Sequence, residues 1–342
     1  MRSCALLLLV CACGSTPTIV SIDDAAVDDG GMGDAHKQPP PVLDSSVPPV
    51  TGPDKLSETG LYSDFALRTI APGIIAYAPR YELWSDGATK TRYLLLPQGL
   101  KVDTSIMDGW VFPVGTKAWK EFRAGGKLVE TRLMWKKTEV AWFEVAYLWN
   151  ADGSDAIATP LGQKAALGTT HDVPSQTDCN NCHQNVIDTL IGVSALQLSN
   201  GGNGLLTALG AQGRLTMVPS GEFEVPGQGK VKDALSYLHA NCAHCHNDNS
   251  KLRLQTALRL DVQTVDTTPA DTGAYKSSFG LVMKHVVPTN VTIAVVPGNP
   301  DMSGLWLRMQ HRRDGMEMPP LGTNEIDPTG VATIKAWIAS LP

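Results

Sequence analysis

Two five-residue segments of this 342-residue chain carry the same chemistry. Cys179-Asn180-Asn181-Cys182-His183 and Cys242-Ala243-His244-Cys245-His246 both read C-x-x-C-H. Residues i and i+3 of a helical turn share a face, so two thiols at this spacing reach the two vinyl groups of one porphyrin. The histidine that follows then presents its imidazole to the iron as the proximal ligand. Two other chemistries compete. A thioredoxin-like redox pair belongs in a βαβ pattern, which is lacking around either motif. A single zinc held by all four cysteines would have to bridge 59 intervening residues, outside the common ribbon spacings, and gives no reason for a histidine after each pair. Covalent haem explains both histidines. The expectation is two haem c groups, attached through Cys179, Cys182, Cys242 and Cys245 and ligated by His183 and His246.

A sixth ligand of sulfur type needs a methionine on a stiff loop. Met318, followed by Pro319 and Pro320, fits that need and is the candidate for the second haem. Met302, Met309 and Met316 compete, although Met309 falls in the apolar segment with Leu305 and Leu307 and reads as core. For the first haem the candidate is Met217, followed by Val218-Pro219, with His171 as its rival; a bis-histidine iron would sit at lower potential. His239, His244 and His285 read as neighbours of the site or as surface. Arg312 and Arg313 are either propionate partners or solvated.

The elements that must position these residues fall into two parts. Residues 55–165 read as strands: Thr91–Leu96, Lys117–Phe122, Leu128–Trp135 and Ala141–Trp149 are β-branched and aromatic runs, with Gly125-Gly126 and Asp152-Gly153 as turns. That pattern predicts an antiparallel sandwich or barrel-like domain. Six of the eight tryptophans lie here, and core packing is the stronger reading for them. Asp86 and Glu130 with Arg132 could line a site, although solvated surface charge or a buried structural pair is the stronger reading. The rest is mainly helical, with a first haem region at 166–228 and a second at 229–342. Val231–His239 leads into Cys242, Leu205–Leu215 has room for a short helix, and Val331, Ile334, Trp337, Ile338 and Leu341 recur with helical period after Asp327-Pro328. The fold class expected is therefore α+β in two parts.

Charge is concentrated outside the folded part. Residues 14–54 carry seven aspartates and one lysine, whereas residues from Lys55 onward are nearly neutral, so the chain gives no support to a nucleic-acid partner. With its prolines, 14–54 reads as a disordered acidic tether. Residues 1–13 read as a lipoprotein-type signal peptide: Arg2, an apolar run from Ala5 to Val10, then Cys13 as the lipidation site. Lipid would anchor the chain to a membrane without spanning it. The expected location is the periplasm or cell surface, with Gly14 pointing to the outer membrane; a soluble periplasmic protein is the alternative.

The chain resembles a family of bacterial di-haem c-type cytochromes. The likeness rests on Tyr81–Tyr93 (YELWSDGATKTRY), Phe112–Thr116 (FPVGT), Glu130–Leu133 (ETRL), the two haem motifs, Val296-Pro297-Gly298, Met318–Gly322 (MPPLG) and the Trp337-Ile338 helix. The resemblance implies haem binding and electron transfer, with no settled substrate. The order of a helix before the second motif, Met318-Pro319, and a closing helix is similar to that of a class I cytochrome c domain, in which those two helices cross. The function expected is an electron relay between redox partner proteins, more a carrier than an enzyme. The alternative is a di-haem oxidoreductase, peroxidase- or dehydrogenase-like, with an open distal site at the first haem.

Overall fold

The structure, a computed structural model, describes residues 51–201, 204–285 and 290–342. The signal peptide, Cys13 and all of the tether before residue 51 lie outside the described residues. The end of the tether stretch is tied to the fold, since Pro53 O accepts from Tyr147 Oη and Asp54 O from Ala158 N.

The architecture is mixed, with an antiparallel sheet-rich N-terminal region and short helices after it. Strands β1 (Tyr62–Asp64) and β2 (Thr69–Ile70) form a small ribbon. Strands β3 (Ile75–Tyr77), β4 (Thr89–Leu95), β5 (Lys117–Ala124), β6 (Lys127–Lys136), β7 (Trp142–Trp149) and β8 (Ala156–Ala158) form one six-stranded meander in sequence order. Antiparallel order matches the expectation; among the described residues the strands form one open meander with the β1–β2 ribbon against it, rather than a full sandwich or barrel. The meander ends at β3 and at β8, where Lys55 bridges Ile157, and what covers its faces comes from elsewhere in the chain.

Each face has its own partner because side chains alternate along a strand. One face carries Tyr93, Trp119, Leu133, Val145 and Tyr147, and packs on Leu56, Leu61 and Tyr62. Trp119 and Trp149 are among the largest fully buried side chains, as core packing requires. The other face carries Leu94, Ala118, Met134 and Trp142, and packs on Leu190, Val193, Leu198, Leu206 and Leu209 from the region after the first motif. The segment holding His183 is thus built onto the sheet.

Seven α-helices follow among the described residues: α1 (Gln176–His183), α2 (Ala195–Leu198), α3 (Leu205–Ala211), α4 (Gly229–Asn241), α5 (Gly273–Ser277), α6 (Gly304–Arg308) and α7 (Pro328–Ser340). Helix α7 begins where the sequence placed it, with Asp327 accepting from the N–H groups of Thr329 and Gly330. Leu235 and Leu238 of α4 share a core with Ile334, Trp337 and Ile338 of α7, and Met309 lies in that core as expected. The two helices approach closely at Gly330, where an added Cβ would lie 2.2 Å from the Tyr237 ring. Gly330→Val should therefore cost about 1–3 kcal/mol by overpacking, measured as a lowered urea midpoint with unchanged slope.

Candidate cofactor site around the two C-x-x-C-H motifs

The first motif forms the second half of α1. Ser175 caps this helix in a capping box with Asp178. The second motif follows α4, whose end at Asn241 is succeeded by one tight turn closed by His246 N–H to Cys242 O at 2.9 Å. Both motifs therefore hold their cysteines on a turn of the kind the spacing predicted.

The two turns are in contact. Interaction with Cys245 and His244 draws the Cys182 thiol below the ordinary range, and interaction with Cys182 lifts Cys245 above it. Burial pushes Cys179 and Cys242 up to about 12. A pair of buried asparagines clamps the turns together. Asn247 Nδ2 donates to Ala243 O and, at 3.1 Å, to Asn185 O, while Asn185 Oδ1 accepts from Ser250 Oγ and Lys251 N. Among the described residues no three His, Cys, Asp or Glu side chains converge as a metal ion would need.

Histidine tautomers separate ligands from neighbours. His183 Nδ1 lies 2.7 Å from Thr189 O, and His246 Nδ1 lies 3.3 Å from Leu258 O. A carbonyl only accepts, so each Nδ1 carries the proton and each Nε2 keeps its lone pair, the arrangement an axial ligand needs. Burial pushes His183 down to about 3 and His246 down to about 4, which keeps both neutral. His239 is the reverse: its Nδ1 accepts from Val262 N–H, so the neutral ring carries its proton on Nε2. His171 is occupied otherwise, with Nε2 at 2.7 Å from Glu130 Oε1 and its ring against Phe122. Glu130 is fully buried between His171 and Arg132; burial opposes its charge, but Arg132 and His171 together hold the carboxyl below its ordinary range. Of the readings open for Glu130 and Arg132, the structure shows an ion pair in which Glu130 is buried and Arg132 partly so.

The carbonyl that orients His183 is itself anchored to the sheet. Asp188, next to Thr189, accepts from Lys136 Nζ and Trp142 Nε1 at 2.8 Å and from Phe112 N–H at 2.5 Å. Lys136 is fully buried.

The YELWSDG segment braces the second motif. Trp84 N–H donates to Asn241 Oδ1 at 2.7 Å, at the end of α4, and Tyr81 N–H to Gln197 Oε1. Asp86 accepts from Thr323 Oγ1 and from the N–H groups of Asn324 and Glu325, just after the Met318–Gly322 loop. These bonds make Asp86 a structural brace rather than a solvated charge. On its other side the loop is held by Arg308, whose Nε donates to Met316 O and whose carbonyl accepts from Met318 N–H. The charge of Arg308 also bears on His246. Arg312 bonds the carbonyls of Met309, His311 and Glu325. Met217 is 53% exposed, its backbone bonded to Thr104 Oγ1. A ligand to an enclosed iron would be covered, so this placement lends Met217 no support.

A cleft opens beside the first motif. Ile187, Leu190 and Val193 line it from the loop after His183, and Ala240, Ala243 and Val262 from α4 and beyond. Arg92, Lys120, His239 and His244 also border it, and His244 Nδ1 is buried without a partner. Apolar walls with a few polar groups at the edge suit a flat, largely apolar cofactor. Together with the thiol pairs and the two free Nε2 atoms, the residues present fit haem.

Residues 285–322 match the planctomycete cytochrome c family. The matched stretch takes in α6 and the Met318 loop and contains neither C-x-x-C-H motif. It supports a cytochrome c-like, haem-based electron-transfer protein. No curated protein and no solved structure matches the chain.

Proposed function

We propose that the chain is an exported di-haem c-type cytochrome that relays electrons between redox partner proteins, anchored to a membrane by lipid on Cys13. The observation that carries this reading is the pair of touching C-x-x-C-H turns, each with its histidine turned by a backbone carbonyl so that Nε2 is free. Bound haem iron supplies a one-electron Fe(III)/Fe(II) couple. The chain's own part is to attach through Cys179 and Cys182, and through Cys242 and Cys245, to orient His183 and His246, and to exclude water with the cores around them. The Asn185–Asn247 clamp fixes the two turns at one separation, which a relay between two centres needs. The packing of α4 against α7 and the braced Met318 loop support a cytochrome c-like arrangement at the second motif, with Met318 as sixth ligand.

The test is the mass and the reduced-minus-oxidised spectrum of protein matured in a host with c-type haem machinery. Two haems per chain are expected, with one lost in Cys182→Ser and both in Cys182→Ser/Cys245→Ser. Met318→Leu should abolish the long-wavelength charge-transfer band of a sulfur-ligated ferric iron while leaving both haems attached. A chain that carries zinc and no haem overturns the reading. The exposure of Met217 favours one second reading, an oxidoreductase with an open distal site at the first haem. A high-spin signal in the resting protein, with reactivity toward peroxide, would establish it over the carrier.

A further inference from the structure

We propose that Arg92, Lys120 and Arg132, a row of cations on the sheet, form the anchoring site for the carboxylates of the porphyrin held by the first motif. The inference rests on the di-haem reading above and adds to it where the cofactor's charged edge lies.

Three strands put these residues in one line. Arg92 of β4 pairs directly with Lys120 of β5, and Lys120 with Arg132 of β6. Directly opposed residues have Cβ atoms about 4.5–5.5 Å apart and point to the same face, and like charges at such positions are destabilising. Lys90, two residues before Arg92 on the same face, adds a fourth cation and bonds Leu83 O and Ser85 Oγ. Compensation within the chain is incomplete. Arg132 has Glu130, and Arg92 reaches the mostly exposed Glu82 at 3.3 Å. Among the described residues Lys120 has no hydrogen bond and no carboxylate at ion-pair distance. Its burial and the charges of Arg92, Arg132 and Lys90 push its ammonium down to about 7. Partly buried cations at this density, with Arg92 itself buried, call for an anionic partner.

The direction of the row identifies that partner. Arg132 lies at the end near the first motif, where its charge interacts with the Cys179 and Cys182 thiols; Lys120 is one strand further and acts on His183; Arg92 is two strands away. A porphyrin bound through its vinyl groups carries its two propionates on the opposite edge. Thiols at one end of the row, with Lys120 lacking a carboxylate and Arg92 held only by the mostly exposed Glu82 beyond them, match that order of groups. Arg92 and Lys120 border the cleft with the apolar walls, whereas Arg312 is bonded to main-chain carbonyls.

The test uses the mature holoprotein and three variants: Lys120→Met, Arg92→Met and Lys120→Arg. Native protein is treated with a carbodiimide and a small amine, digested, and the Cys179–His183 haem peptide is weighed. Ion-paired propionates should resist amidation in the wild type and in Lys120→Arg, and react at least tenfold faster in Lys120→Met. One of the two midpoint potentials should fall in the same variant, by a tenfold change in the Fe(II)/Fe(III) ratio, about 59 mV for a one-electron couple. If Lys120→Met does not fold, Arg92→Met is read by the same two measurements. Equal labelling in wild type and variants that carry two haems overturns this inference alone. A wild type without haem overturns the proposed function instead.

Discussion

Lys136→Met should destabilise the protein by about 3–5 kcal/mol, the cost of leaving a buried carboxylate without its cation. Lys136 ends β6 fully buried, and its ammonium lies 2.8 Å from both oxygens of Asp188. Burial already raises the Asp188 carboxyl above its ordinary range, with Lys136, Phe112 N–H and Trp142 Nε1 opposing that rise. Removing the largest opposing charge leaves the cost of burial standing. Lys136→Met/Asp188→Asn should recover part of the loss, because an amide oxygen still accepts from Phe112 and Trp142 without demanding a cation. A double-mutant cycle by urea unfolding measures the coupling. The effect should also reach the cofactor. Asp188 fixes the backbone of Thr189, whose carbonyl sets the His183 ring, so the single variant should lose low-spin signal from one haem before the other. Single variants within 1 kcal/mol of wild type would show that this pair is not the anchor of the first motif.

That anchor was not legible in the sequence, and the reason is physical. The C-x-x-C-H spacing is local, so both motifs, the helix before the second and the closing helix with its Asp327 cap could be read directly. The strands could also be read, because alternation is local too. Their closure could not. Long apolar and aromatic runs fit a sheet covered on both faces as well as a sandwich, and it is the haem-region residues Leu190 to Leu209 that cover the second face here. Asp188 and Lys136 are 52 positions apart and gave no signal individually. The cation row gave no signal either, because Lys90, Glu130 and Lys136 on the same face break up any apolar background against which Arg92, Lys120 and Arg132 would stand out. Only the register shows that they are neighbours. Met217 was chosen for its following proline pattern, a cue about backbone stiffness that carries no information about burial.

Asp86 offers the clearest separation of haem attachment from iron ligation. Its carboxylate accepts from Thr323 Oγ1 at 2.6 Å and from Asn324 N–H and Glu325 N–H at 3.0 Å, tying the end of the Met318 loop to the segment that leads into β4. Asp86→Ala should cost about 2 kcal/mol in stability through those lost charge-assisted bonds. Its backbone adds to that, since φ is +51°, a region Asp and Asn tolerate better than Ala. Asp86→Asn keeps the backbone preference and one accepting oxygen, so it isolates the carboxylate's contribution and should show roughly half the loss. Neither substitution touches Cys242, Cys245 or His246, and both haems should remain attached by mass. What should change, if Met318 is the sixth ligand as proposed, is the sulfur–iron charge-transfer band, weakened in Asp86→Asn and largely lost in Asp86→Ala, because the loop carrying Met318 would then be pinned at one end only. The Arg308 end remains pinned in either variant, through Met316 O and Met318 N–H. An unchanged band in Asp86→Ala would mean that this end alone suffices, and would shift the positioning role from the YELWSDG segment to α6.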